Sequence, residues 1–432
     1  MMIIRPALLQ RFILSIRQDI QRTWSSGAGM VVISRWLARS GGIVRRIILA
    51  RILGAELIGN IAVASSVMSI LYLPAGAGTF TPVSKLIAEK SGDKEVHKRV
   101  VGTSLRISSL TSLTMILALY CVLLFTDLID DVVAKKLLYI IVLFLPLNVF
   151  ASIFRSGLVG QRRIKLMAVL DIVFNLSDLL FVIPLVIFFA LNGWLCNYII
   201  VMFVGVLLYG SALRRILSFK WDKGIAKRIM SIGIFSFLGQ FTGTLVLQFD
   251  TLTVSGILSD PSSTGIYNTA SMAVQQLIII PTSILVVVLP FVAENKDKVQ
   301  KLKDRYIELR KKLFIVTTGI SILAWIASPW VFPIFGPEFV ASSAPFRILI
   351  VGLIFRSLFM LDNTYLDALG RTDLHFYGGL LTAVLAIVLN LTLIPHFGII
   401  GAAWATTLSM VFGLIVRHAS IYYFIFYKKA IR

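Results

Sequence analysis

Acidic residues, histidines and cysteines are all scarce in this 432-residue chain, and each scarcity removes a class of chemistry. The two cysteines, Cys121 and Cys196, sit in or beside apolar runs and offer neither a metal-ligand spacing nor a disulfide framework. The four histidines, His97, His375, His396 and His418, are too widely scattered to suggest a metal site. No glycine-rich phosphate loop or other ATP motif occurs, which argues against direct ATP drive. Long polar segments are lacking as well. No connection between apolar runs exceeds about 25 residues, too short for the extramembrane catalytic loop that a membrane glycosyltransferase or polymerase needs. The expectation is a protein that is not an enzyme and holds neither metal nor cofactor.

What abounds is apolar surface. Hydrophobic residues make up 57% of the chain and mean hydropathy is +0.88, whereas soluble domains hold roughly 45–50% apolar residues. A water-soluble core stops growing near ~250–300 residues, so this surface needs lipid as its solvent. Windows of about 20 apolar residues, the length that crosses a ~30 Å hydrocarbon layer, recur with short gaps. They lie near 28–51, 58–80, 104–125, 137–157, 166–190, 194–213, 231–253, 265–292, 313–332, 345–367, 374–395 and 399–426. Pro74, Pro281 and Pro290 are placed to kink the second and eighth. The first 24 residues are broken by Arg5, Arg11, Arg17 and Arg22, so they read as a basic amphipathic arm, not a cleavable signal peptide.

Lysine and arginine number 42 against 21 acids, a net charge of +21 that invites a nucleic-acid reading. The basic residues lie in short runs between apolar windows instead, the pattern of the positive-inside rule. With twelve alternating spans, 33 of the 42 fall on one side, while the opposite loops hold only Lys135 and Lys136. That predicts a multi-pass protein of the bacterial inner membrane, both termini cytoplasmic, with no nucleic-acid partner. The run over 296–312 reads as a solvated loop helix drawn to anionic membrane lipids.

An internal repeat accompanies this pattern. Residues 59–89 begin GNIAVASS and end KLIAE; residues 265–294 begin GIYNTASM and end PFVAE. The offset is about 205 residues, and six spans per half make the repeats parallel. A chance match between apolar segments is the alternative. The expected fold class is an all-α membrane protein of about 12 transmembrane helices in two parallel-repeat six-helix bundles. Its divisions are a cytoplasmic arm (1–26), an N-terminal bundle (27–213), a basic linker (214–230) and a C-terminal bundle (231–432).

Several segments resemble the multidrug/oligosaccharidyl-lipid/polysaccharide flippase superfamily, specifically its polysaccharide-repeat-unit (O-antigen or exopolysaccharide) branch. They are LARILGAELIG at 49–59, QFDTLTVSGIL at 248–258, TGIYNTAS at 264–271, FGPEF at 335–339, LDALGRTDL at 366–374 and LIPHFGIIGAAWAT at 393–406. Each motif is weak alone; their order and spacing across both halves carry the resemblance. It implies a V-shaped twelve-helix protein with a central cavity that alternates access. It also implies transfer of a polyprenyl-diphosphate-linked oligosaccharide from the cytoplasmic to the outer leaflet for surface polysaccharide biosynthesis, coupled to an ion gradient of protons or sodium. Partners would be the lipid-linked oligosaccharide, membrane lipids, a polysaccharide polymerase and glycosyltransferases. The alternative within the superfamily is a cation-coupled multidrug exporter, against which the arginines in the spans argue.

Moving a diphosphate across lipid requires a polar, cationic path. In the first window Arg35, Arg39 and Arg46 lie at 0°, 40° and 20° on a helical wheel, one stripe, with Arg45 about 80° away. Either the stripe lines the cavity and meets the diphosphate with bidentate bonds, or it snorkels or pairs with acids to hold helices together. Arg356, with Asn363 seven residues on, is the C-terminal counterpart; Gln240, Thr244 and Gln248 form a strip suited to sugar hydroxyls or to helix packing. Asp178, on a face with Asp171 and Asn175, either neutralises Arg39 or binds the coupled ion. Asp250 matches an acidic position of the resembled family and is a candidate for ion coupling or gating. Asp171 and Arg347 read as interface residues, and Asn390 as a packing amide.

Overall fold

Hydrocarbon offers backbone amides no partner, so a chain in lipid must satisfy its N–H and C=O groups within helices or a closed barrel. The computed structural model uses helices: among the described residues there is no strand. It describes residues 28–423 apart from 91, 127, 128, 130, 286, 287, 296 and 297, with side chains from 41 onward except those of 235, 289, 290 and 293. The arm expected over 1–26 lies outside the described residues.

The helices are α1 (Ala28–Ala75), α2 (Phe80–Glu89), α3 (Lys94–Phe125), α4 (Val132–Ile141), α5 (Leu145–Gly160), α6 (Ile164–Ala212), α7 (Lys223–Leu258), α8 (Pro261–Leu277), α9 (Ile279–Leu285), α10 (Val288–Glu294), α11 (Val299–Val331), α12 (Ser343–Ala368) and α13 (Thr372–Ile421). Eight helical stretches among the described residues are long and apolar enough to cross a membrane. The twelve apolar windows map onto fewer helices because α1, α6 and α13 each take up two. The window 265–292 is divided among α8, α9 and α10, with Pro281 inside α9. Large apolar side chains such as Leu124, Leu180, Phe188, Leu323 and Trp330 point outward, where only acyl chains would accept them, and the chain is a multi-pass membrane protein.

Continuous helices of 48, 49 and 50 residues would each be longer than ~70 Å at ~1.5 Å per residue, over twice the bilayer core. Each contains one non-helical residue: Gly54, Ala190 and Gly398. At the last two the chain doubles back. A Cβ on Gly193 would lie 1.9 Å from the carbonyl oxygen of Leu185, and one on Gly401 2.3 Å from that of Leu393, so only glycine permits either approach. An unbroken helix would hold residues eight apart at about 12 Å. Both reversals recur at an offset of 208 residues, 193 to 401 and 185 to 393.

Several of the scarce acids start helices. Asp93 accepts the N–H groups of Glu95 and Val96, Asp131 that of Ala134, Asp222 that of Ile225, and Asp260 those of Ser262 and Ser263. The Asp222 carboxyl is held below the usual carboxylate range, chiefly by the Ile225 N–H.

In packing, α1 lies against α6, α7 and α8, while α12 lies against α11 and α13. A large apolar core joins α1 to α8 and reaches into α12 and α13; a second, smaller one gathers Leu285, Val288, Leu302, Leu309, Leu313, Leu361 and Ile421. That second core corrects the reading of 296–312 as a solvated loop helix. Residues from Val299 onward are the opening turns of α11, with Leu302, Tyr306 and Leu309 buried. Between α1 and α8 a Cβ on Gly59 would lie 1.8 Å from Pro261 O, and one on Gly265 2.0 Å from Ala55 O. The two contacts are the same pair exchanged, with partners 206 apart.

Candidate functional site

Two polar clusters lie inside the apolar helices, the first built from α1 and both arms of α6, the second from α7, α8 and α13. In the first, Arg45 of α1 forms an ion pair with Asp178 of α6, whose other oxygen accepts 2.8 Å from Asn197 Nδ2 after the Ala190 reversal. Asp178 thus pairs with Arg45, the arginine off the expected stripe; the side chain of Arg39 lies outside the described residues, as does that of Arg35. In the second, Asp250 of α7 is buried and accepts from Asn390 Nδ2 at 2.7 Å, Thr406 Oγ1 at 2.6 Å and Tyr267 Oη at 3.3 Å. Desolvating a carboxylate is costly unless donors surround it, and these three do. Asn390 therefore serves as a partner of Asp250 and not as a plain packing amide. The two clusters draw on corresponding places: 45 and 250 are 205 apart, 197 and 406 are 209 apart.

Two further arginines sit on α1 and α12, helices that both pack against α8 at a seam, and neither forms an ion pair among the described residues. Arg46 Nη2 donates 2.6 Å to Asn268 Oδ1 of α8, and Asn268 reaches Thr251 of α7 at 3.4 Å. The Nε of Arg46 is buried with no partner. Arg356 of α12 stands within electrostatic reach of Asp250. Among the described residues neither arginine has a carboxylate at ion-pair distance. A partly buried guanidinium with no acid at ion-pair distance is unfavourable unless other acceptors reach it.

Other expected site residues lie elsewhere in the network. Gln248 accepts 2.9 Å from Ser66 and ties α7 to α1, whereas Gln240 is exposed and bonds only to Ser236 of its own helix. Asn363 accepts 2.8 Å from Arg417 Nε. Two readings are corrected. Asp171 is not a solvated interface acid: it holds Arg155 through both oxygens at 2.9 and 2.7 Å and accepts from Tyr209 at 2.7 Å. Arg347 does not snorkel freely; it stacks 4.5 Å over Trp325 and donates to Ser328. Arg417 is buried over Phe359 and bonded to Thr382. Sequence reading did not single out Asn197, Tyr267, Asn268 and Thr406: Asn197 and Thr406 have no polar residue four positions on, while Tyr267 begins a polar row with Ser271 and Gln275 that could have marked the face. Among the described residues no three His, Cys, Asp or Glu side chains group as metal ligands.

Comparison with known proteins agrees with this architecture. The probable flippase AglR of Haloferax volcanii is 27% identical over 176 residues, covering 38% of this chain and 35% of that protein. The alignment therefore spans about a third of that relative's length. A second protein of that organism, the probable low-salt glycan biosynthesis flippase Agl15, is 23% identical over 377 residues, 85% of this chain and 77% of its own. Among solved structures, an inward-facing multidrug resistance transporter of the MATE family superposes with a TM-score of 0.76 at 17% identity, over 90% of this chain and 94% of its own. The lipid II flippase MurJ, in an inward closed conformation, gives 0.71 at 18% identity, over 90% and 86%. These likenesses show the fold. A family profile described as polysaccharide biosynthesis protein matches residues 24–296, well over half of the chain. With that span matched, the chain belongs to the polysaccharide biosynthesis protein family.

Proposed function

We propose that this protein translocates a polyprenyl-diphosphate-linked oligosaccharide from the cytoplasmic to the outer leaflet by alternating access. The observation that carries the reading is that Arg46 of α1, bonded to Asn268 of α8, and Arg356 of α12, within electrostatic reach of Asp250 of α7, have no acid at ion-pair distance among the described residues. A diphosphate offers what both guanidiniums lack, acceptors of matching charge and geometry. Arg35 and Arg39 extend the path along α1, and Gln240, Gln248 and Asn363 supply polar groups for sugar hydroxyls. Because Arg45 already neutralises Asp178, Asp250 is the acid left to bind a coupling proton or sodium ion.

The reading takes the chain as twelve spans in two bundles, 27–213 and 231–432, after a surface arm at 1–26 and joined by a basic linker at 214–230. The recurring offsets of 205–209 residues and the exchanged Gly59 and Gly265 contacts are what a parallel duplication about an axis along the membrane normal produces. The charge asymmetry supports an inner-membrane location with both termini cytoplasmic. A polysaccharide polymerase and glycosyltransferases would act after and before it.

The test uses proteoliposomes loaded with a lipid-linked oligosaccharide. Arg356→Ala and Arg46→Ala should each lower flipping about 10- to 100-fold, the equivalent of one charge-assisted hydrogen bond, with insertion intact. Unchanged flipping in both variants would remove the seam from the mechanism. The exporter reading, favoured by the MATE superposition, would win if cells lacking the protein lost efflux of organic cations while their surface glycan stayed normal.

A further inference from the structure

A third polar cluster lies apart from the seam, where the start of α11 meets the ends of α12 and α13. Asp362 of α12 is 0% exposed. Its Oδ1 accepts 2.5 Å from Tyr306 Oη of α11, and its Oδ2 is buried without a partner. Tyr306 is itself 1% exposed, and its oxygen lies 3.1 Å from Nδ1 of His418 on α13, with the two rings stacked. His418 alone of these three is partly exposed. Hydrogen bonds therefore run without a gap from a histidine at the surface to a carboxyl with no access of its own.

The other charged and titratable groups facing this chain are few. From α11 comes Arg310, whose Nη1 lies 2.7 Å from Tyr306 Oη, 3.3 Å from Asp362 Oδ1 and 3.1 Å from His418 Nδ1. Tyr365 of α12 packs edge-on against Tyr306, its hydroxyl buried without a partner. From α13 comes Arg417, which attracts Asp362 from the far side. From α9 and α10 the cluster meets apolar Leu285, Val288 and Val292.

We infer that Asp362 is a proton-binding site, separate from Asp250, loaded from the surface through His418 and Tyr306. An arriving proton makes His418 an imidazolium. Its Nδ1–H bond then breaks as a new O–H bond forms on Tyr306, while the original Tyr306 O–H bond breaks and Asp362 gains the hydrogen. Imidazolium and carboxylate become imidazole and carboxylic acid, and Tyr306 ends as it began. Arg310 is held in the cluster by Asp362 and by the oxygen of Tyr306. Once the acid is neutral, the charge that draws Arg310 and Arg417 to α12 is gone, and the contact of α11 and α13 with α12 loosens. The side from which protons enter, the cytoplasm, rests on the orientation proposed above; the protonation itself does not.

Infrared difference spectroscopy of the protein in liposomes, with protons as the only ligand, reads this without any transport assay. Lowering the pH should raise a carboxylic-acid carbonyl band that is absent in Asp362→Asn. Tyr306→Phe keeps the ring stack and should show the same band at equilibrium, but rising at least about tenfold more slowly after a pH jump, as loss of a proton-transfer group implies. A band that survives in Asp362→Asn, or one that rises at the wild-type rate in Tyr306→Phe, overturns the assignment. Should Asp362→Asn fail to fold, the rate in Tyr306→Phe decides alone. Failed flipping with these infrared results intact would count against the flippase reading only.

Discussion

Arg45 and Asp250 stand at matching distances along the chain, yet one heads its cluster as a cation and the other as an anion. Each is compensated by neighbouring helices, Arg45 by Asp178 of α6 and Asp250 by the donors of Asn390, Thr406 and Tyr267 on α13 and α8. Removing one member of a desolvated pair leaves the other uncompensated, which is worse than having neither. Arg45 is 38% exposed, which softens the effect. Arg45→Met should therefore destabilise by about 1–3 kcal/mol, while Arg45→Met with Asp178→Asn should recover most of that loss. Thermal unfolding in detergent, run as a double-mutant cycle, measures the difference. Additive losses would mean that the pair is solvated and weakly coupled. Helical spacing pointed to arginines in the first window and to Asp178, and the family resemblance to Asp250, but neither pointed to their partners. A partner is chosen by how helices meet, and no periodicity within one helix encodes that.

At the scale of the element, the chain reversals depend on absent side chains. Gly193→Ala and Gly401→Ala would push a methyl group within 1.9 and 2.3 Å of a carbonyl oxygen, so each hairpin must open. Losses of at least about 3 kcal/mol and poor expression are expected. Gly243→Ala and Gly256→Ala in α7, where a Cβ meets nothing within 4 Å, should instead be neutral or stabilising by up to about 1 kcal/mol. Melting temperatures of the four variants separate close approach from helix propensity. The start of α7 gives a pH prediction. The folded Asp222 carboxyl titrates below its unfolded value, so its cap contributes fully above about pH 4 and is lost as pH falls through the lowered value. Amide exchange at Ile225 should accelerate on acidification, and in Asp222→Ala it should already be fast at neutral pH. The apolar windows were legible because lipid imposes length and composition. The burial of 299–313 was legible too, since Leu302, Tyr306, Leu309 and Leu313 recur at helical spacing among lysines, but the density of charge masked that face. The interruption at Ile278 within 265–292 was not marked by a proline at that position.

For the molecule as a whole, the decisive question is whether the segment around α1 moves against the segment around α7. The two meet at Ser66 and Gln248, 2.9 Å apart, and again where Gly59 and Gly265 interlock with α8 and α1. Backbones that approach so closely pack well in lipid, where no hydrophobic force adds to association, so on the proposed reading any opening of the seam would have to draw on substrate or ion binding. A protein that alternates access has to break the Ser66 to Gln248 contact in each cycle. In a background with Cys121 and Cys196 replaced by serine, Ser66→Cys with Gln248→Cys should oxidise to a disulfide, since the two side chains already touch. Flipping in proteoliposomes should then stop and return on reduction, while either single cysteine leaves it unaffected by oxidant. Transport at the uncrosslinked rate in the oxidised double variant would mean that substrate crosses without parting α1 from α7, along the outer faces of the helices and past the arginines of the seam altogether.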